Sequence, residues 1–204
     1  MSARSNDDFF ELASTLRACR TFTDQAVGDD ELSRILDAAT RAPSAENAQP
    51  WHFVVVRDAD RRRRIAALMG GLWDRFGREH SRSRLSDDVF AAVDDGFGGG
   101  LVTAPVLVVV CGDTEQSRPE VLPSSVYPAV QNLLLAAHAQ GLGSVLTTIA
   151  AVDPVALREL IEAPESIVPM AVVPIGHPAR ALGPSRREPL ATKTSLDRYG
   201  TPWP

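Results

Sequence analysis

The run at residues 105–111, PVLVVVC, is apolar at every position. A strand wetted on one face alternates apolar and polar residues, whereas a strand buried on both faces reads as a continuous apolar run. The run therefore predicts a central strand with helices packed on both sides. The rest of the chain supplies candidates for both layers. Residues 8–18 place Phe9, Leu12 and Leu16 at helical spacing. A second helix is expected from Asp29, where Asp30 and Glu31 suit a helix N-terminus and Leu32, Ile35, Leu36 and Ala39 form its apolar stripe. A strand is expected at 52–57. The helix after Asp58 would bury Ile65, Leu68, Met69 and Leu72, with Gly70 and Gly71 marking a bend or interruption. Residues 125–140 predict a helix burying Val126, Val130, Leu133, Leu134 and Ala137, closed by Gly141 and Gly143. Residues 144–150 read as a strand or a strand-to-loop segment and 168–176 as a strand, with a helix between them capped by Asp153 and opened by Pro154. Two helices followed by strands alternating with helices give an α/β or α+β sandwich of about four or five strands.

Residues 77–103 fit this scheme least well. They contain a charged patch, an acidic helix candidate around 89–93 and the glycine run 96–100, read as flexible. Such a segment is either a mobile cover over a site or a surface excursion. The part after His177 reads as a tail rich in Pro, Gly and Arg.

The chain has 204 residues, enough for one domain with a proper core. Its net charge of −5 gives no electrostatic case for nucleic acid. The arginines at 61–64 read as a solvated helix face. Of the two cysteines, Cys111 ends the apolar run, where buried free thiols are common. The polar N-terminus has no secretory pattern and no apolar run reaches membrane-spanning length, so a cytoplasmic, reduced protein is expected.

Four segments carry candidate chemistry. Arg17 and Arg20 flank Ala18 and Cys19; paired guanidinium groups with backbone amides between them suit a phosphate, or form surface ion pairs. The loop 43–50 offers Pro43, Ser44, Ala45, Asn47 and Gln49, whose amides either read the rim of a planar heteroaromatic ring or satisfy a rigid turn. Gly141 and Gly143, followed by Leu146, Thr147 and Thr148, permit close backbone approach and add hydroxyls, although a helix cap explains the glycines as well. Arg186 and Arg187 either complete a phosphate site or belong to a basic tail. A P-loop, a dinucleotide-binding glycine fingerprint, local metal-ligand histidine spacing and a GxSxG nucleophile are all absent from the sequence. No protein side chain is thus a candidate nucleophile or metal ligand.

In this order the segments resemble the nitroreductase family. The matching stretches are RACRTF (17–22), APSAENAQPWHFVVV (42–56), YPAVQNLLLAAHAQGLGSVLTT (127–148), IGHP (175–178), SRREPL (185–190) and DRYG (197–200). The resemblance implies an α+β fold, a three-layer α/β/α sandwich with a mainly antiparallel central sheet. It also implies a homodimer with flavin mononucleotide (FMN) at the subunit interface. Arg17 and Arg20, with the backbone of Ala18 and Cys19, would hold the FMN phosphate and ribityl chain, and Arg186 and Arg187 would close over the phosphate. Pro43, Ser44 and Ala45 would reach the flavin ring from the partner subunit, with Asn47 and Gln49 supporting their loop. Leu146, Thr147 and Thr148 would lie near flavin N5. The expected reaction is ping-pong hydride transfer from NADH or NADPH, through FMN, to a nitroaromatic, a quinone or a related acceptor. Reductive dehalogenation, flavin fragmentation and simple FMN storage are the alternatives. Two departures stand out: Ala18, where many relatives have serine, and Thr147-Thr148, where several have an acidic residue and glycine.

Overall fold

The computed structural model describes residues 7–183 and 185–203. Its helices are α1 (Asp7–Thr15), α2 (Asp29–Thr40), α3 (Ala59–Leu72), α4 (Arg78–Arg82), α5 (Asp87–Asp95), α6 (Leu122–Ala139) and α7 (Pro154–Leu160). Its strands are β1 (Trp51–Val56), β2 (Val106–Asp113), β3 (Gly143–Ser144) and β4 (Ile167–Gly176), joined in the order β1-β2-β4-β3. Every neighbouring pair is antiparallel, with Val54 opposite Val109 and Val109 opposite Val172.

The continuous apolar run is the spine of this sheet. Val106, Val108 and Val110 pack with α2 and α6 in one core layer. Leu107, Val109 and Cys111 pack with α3 and α7 in the other. All six side chains are at most 1% exposed. Alternation along a strand sends successive side chains to opposite faces, so burial of both sets requires a helical layer on each side. The result is the expected α+β sandwich with a mainly antiparallel sheet. None of the helices described is long and apolar enough to cross a membrane.

Several boundaries differ from the sequence expectation. The first helix stops at Thr15, and Phe9 is 59% exposed, so its spacing marks a helix but not a fully buried face. Of the two readings of 144–150, the strand-to-loop one holds: the strand is only Gly143–Ser144. Thr147 then rejoins β4 through a single bridge to Val172, and Ile149–Val152 form a short helical turn. Gly70 and Gly71 do not interrupt α3, which runs through Leu72 into a wide five-residue turn, Trp73–Gly77.

The arginine run at 61–64 is only half a solvated face. The guanidinium of Arg61 donates to the Leu160 carbonyl (2.8 Å) and to Glu162, and that of Arg62 donates to the Ala104 carbonyl (2.6 Å). Arg63 and Arg64 are exposed, and Arg63 pairs with Asp60.

Residues 77–103 are mostly helical. Helix α5 continues through a wide turn, Gly96–Gly100, and a tighter one, Leu101–Thr103. The indole of Trp73 stacks on Phe97 with centroids 4.9 Å apart, lies 6.3 Å from Phe90, and donates its N–H to Asp94 (2.8 Å). The glycine run, expected to be flexible, has a packing role instead. A Cβ at Gly96 would come within 3.0 Å of the Arg20 side chain, and one at Gly100 would collide with the Arg20 carbonyl. These glycines let the segment lie directly against Arg20.

Candidate functional site

The segment around Arg17–Arg20 is built onto the sheet edge. Ala18 pairs with Ser144 of β3, and the Cys19 amide donates to the Ser144 carbonyl (2.9 Å). Thr21 and Thr23 continue the attachment through Ala179 and His177. Gly143 makes this possible, because a Cβ there would lie 2.6 Å from Cys19 Sγ. Gly141 has a separate role. With φ of +76° it ends α6, its amide donating to His138 and that of Leu142 to Ala137. That is the double bond pattern of a glycine-terminated helix. Both glycines thus shape the chain around the site.

Cys19 itself faces the core and is 1% exposed. Burial raises its thiol pKa above the ordinary value. Its amide is already committed to Ser144, so it adds no free donor for an anion. Among the described residues, the hydroxyl of Ser144 is the one buried side-chain polar atom without a partner.

A cavity of about 320 Å³ brings together Arg17, Ala18, Arg20, Arg186 and Arg187, with Asp88, Val89 and Ala92 of α5 as one wall. Segments far apart in sequence, 17–20 and 186–187, therefore meet here. Arg17 donates to the Gly183 carbonyl (3.2 Å), Arg187 to the Arg186 carbonyl (2.8 Å), and Arg186 pairs with Asp88 (3.2 Å). Arg20 is different. It is half-buried, and none of the ion pairs among the described residues includes it. Burial first, and then the neighbouring Arg17, push its guanidinium below the ordinary pKa. A partly desolvated cation next to another cation favours an anion between them.

A second cavity, of about 400 Å³, shares Arg20 with the first. It is lined by Leu146, Thr147 and Thr148 and by the aromatic residues Trp73, Phe76 and Phe97. Thr147 is 7% exposed, and both its amide (3.1 Å) and its hydroxyl (2.8 Å) donate to the Val172 carbonyl. Its hydroxyl therefore holds the backbone rather than facing a ligand. Leu146 and Thr148 are the exposed members of the trio.

The loop 43–50 lies elsewhere. It enters β1 beside the end of β2, with the Asp113 amide donating to the Pro50 carbonyl (2.7 Å). Arg17–Arg20 sit beside β3, at the level of Val106, the other end of β2. The two segments occupy opposite corners of the sheet, roughly 20 Å apart along the strands and about 19 Å across them. Within the loop, the Gln49 amide donates to Ser44 Oγ (3.0 Å), the Gln49 side chain to the Asn47 carbonyl (3.3 Å), and the Ala45 amide to Ser125 Oγ (3.2 Å). Glu46, Asn47 and Gln49 adopt positive φ, leaving Pro43, Ala45 and Asn47 on the surface. One chain does not bring these residues to either cavity.

The sequence model of the nitroreductase family matches residues 14–177. The chain belongs to this family. A Methanothermobacter thermautotrophicus protein named for NADH dehydrogenase or NAD(P)H nitroreductase activity is 31% identical over 182 residues, covering 88% of this chain and 82% of its own. The Bacillus subtilis FMN reductase [NAD(P)H] is 26% identical over 191 residues, covering 90% and 71%. A Desulfovibrio desulfuricans structure, described as a nitroreductase in complex with FMN, superposes with a TM-score of 0.72 at 30% identity, covering 97% and 99%. Membership places the chain among the NAD(P)H-dependent flavin oxidoreductases that carry FMN.

The nitroreductase residues present here fit such a cofactor. FMN has a dianionic phosphate and an extended aromatic ring, and the arginine-lined and aromatic-lined cavities meet at Arg20. Sequence reading missed Trp73, Phe76, His80, Asp88, Val89, Ala92 and Phe97 as lining residues. The available signal was the glycine run, whose small residues report a close neighbour rather than a hinge.

Proposed function

We propose that this protein holds FMN with its phosphate among Arg17, Arg20, Arg186 and Arg187 and its ring toward Leu146 and Thr148, and that it reduces quinones or nitroaromatics with NAD(P)H. The observation that carries this reading is Arg20: half-buried, without a carboxylate partner among the described residues, and common to both cavities. When bound, FMN would supply the redox chemistry of a ping-pong exchange between NAD(P)H and an acceptor. The protein's own residues bind and shield. Arg17 and Arg20 fix the anionic end, and the aromatic wall of Trp73, Phe76 and Phe97 keeps water from the ring face. Residues 77–103 act as the cover of the site, and Thr147 fixes the backbone beneath it.

The separation of the loop 43–50 from both cavities supports a two-fold dimer in which Pro43, Ser44 and Ala45 complete the partner's site. An isologous interface builds two such sites from one surface. The test is direct. The purified protein should carry yellow, stoichiometric FMN that NADH bleaches anaerobically and a quinone restores. Arg20→Ala should weaken FMN binding by about 10- to 150-fold, the equivalent of the ~1.5–3 kcal/mol of a charge-assisted hydrogen bond. Full flavin retention in that variant would refute the phosphate assignment.

A further inference from the structure

The second cavity has a restricted set of polar groups. The indole N–H of Trp73 is committed to Asp94 and the Thr147 hydroxyl to Val172. Of its side chains able to hydrogen-bond, Arg20, His80, Ser81 and Thr148 remain, and the lining contains no carboxylate. Such a cavity suits a flat aromatic molecule that carries oxygen acceptors and no positive charge.

Of these groups, His80 has its donor assigned by a neighbour. Arg84 Nη1 lies 2.8 Å from His80 Nε2. A guanidinium has only donors, so Nε2 must accept, and the neutral ring then carries its proton on Nδ1. The Nε2 lone pair is occupied by Arg84, leaving one N–H donor, at Nδ1, on a side chain that lines the cavity. His80 follows the Trp73–Gly77 turn, which carries Trp73 and Phe76 of the aromatic wall, so this donor and the aromatic wall are positioned together. Gly77 holds that turn tight, since a Cβ there would overlap the Trp73 ring.

We propose that His80, held in its Nδ1–H tautomer by Arg84, donates a hydrogen bond to an oxygen of the electron acceptor and so selects oxygen-bearing planar acceptors. The inference rests on the flavin reading above and assigns a residue to its second half-reaction. It is tested by comparing naphthoquinone, which has ring oxygens to bind, with ferricyanide, which takes electrons without entering such a contact. In His80→Ala the KM for naphthoquinone should rise roughly fivefold, the scale of one net hydrogen bond, with FMN content and ferricyanide turnover unchanged. His80→Gln keeps an N–H donor and should recover most of the loss. Arg84→Met, which leaves the ring without its anchor, should raise the same KM by a smaller factor. An unchanged naphthoquinone KM in His80→Ala, or equal losses with both acceptors, would overturn the proposal. If wild-type protein binds FMN yet oxidises NADH with neither acceptor, the oxidoreductase reading itself falls, and this inference with it.

Discussion

At the scale of single residues, burial determines what the polar and thiol groups of this chain can do. Cys111 is fully buried, and desolvation pushes its thiol up to about 12. A raised pKa in the folded state means that stability is complete below the unfolded value, near 9, and declines as pH rises toward the folded one. Between pH 9 and 12, Cys111→Ala should therefore lose less stability than wild type, with a difference of about 1.4 kcal/mol by pH 10 in denaturant titrations. Parallel curves would contradict the burial of that thiol. Ser144 makes the opposite point. The residue is 3% exposed and its hydroxyl has no partner among the described residues, so Ser144→Ala should leave stability unchanged or raise it by up to about 1 kcal/mol, read as melting temperature. Gly143 is less forgiving. Gly143→Ala would drive a methyl into Cys19 and push the Arg17–Arg20 segment off β3, so both melting temperature and FMN affinity should fall.

At the scale of elements, legibility in the sequence follows the strength of the local pattern. The apolar run of β2 announced a strand with two covered faces, and the helices at 29–40 and 122–139 were legible because each carries a continuous apolar stripe. Leu133 shows what that stripe contributes: it is fully buried in the α2–α6 layer, and Leu133→Ala should cost about 2–5 kcal/mol in chemical denaturation. Legibility ended where partners are distant in sequence. Nothing local in Thr147 says that its hydroxyl returns to Val172, and two threonines in a row look equally suited to a ligand. The glycine run misled for the same reason. The requirement for glycine at positions 96 and 100 comes from Arg20, seventy-six residues before Gly96. Gly100→Ala tests this. It should lower FMN affinity and stability together because the displaced backbone is that of Arg20; a loss of stability alone would mean that the turn does not position the guanidinium.

At the scale of the whole molecule, the sheet keeps the two halves of the proposed site at opposite corners, and that arrangement makes a quantitative prediction about assembly. If the loop 43–50 serves the partner's cavity, protomers with complementary defects should rescue each other. Arg20→Ala disables one contribution and Ala45→Trp the other. A hybrid dimer then contains one site with both defects and one with neither, so at an FMN concentration too low to fill Arg20→Ala sites random mixing should restore about a quarter of wild-type turnover from two impaired parents. No recovery after unfolding and refolding the mixture would place the loop outside the site. The tail after His177 adds no strand to the sheet; among the described residues its ladder contacts are the isolated pairs Phe22–Pro178 and Ser195–Pro202. Yet it carries two of the four guanidinium groups that line the proposed phosphate cavity. If that cavity holds the phosphate, scaffold and clasp are separable: a protease that clipped the chain beyond Arg180 should leave the four-stranded sheet intact while loosening the hold on FMN, so cofactor would be lost without unfolding.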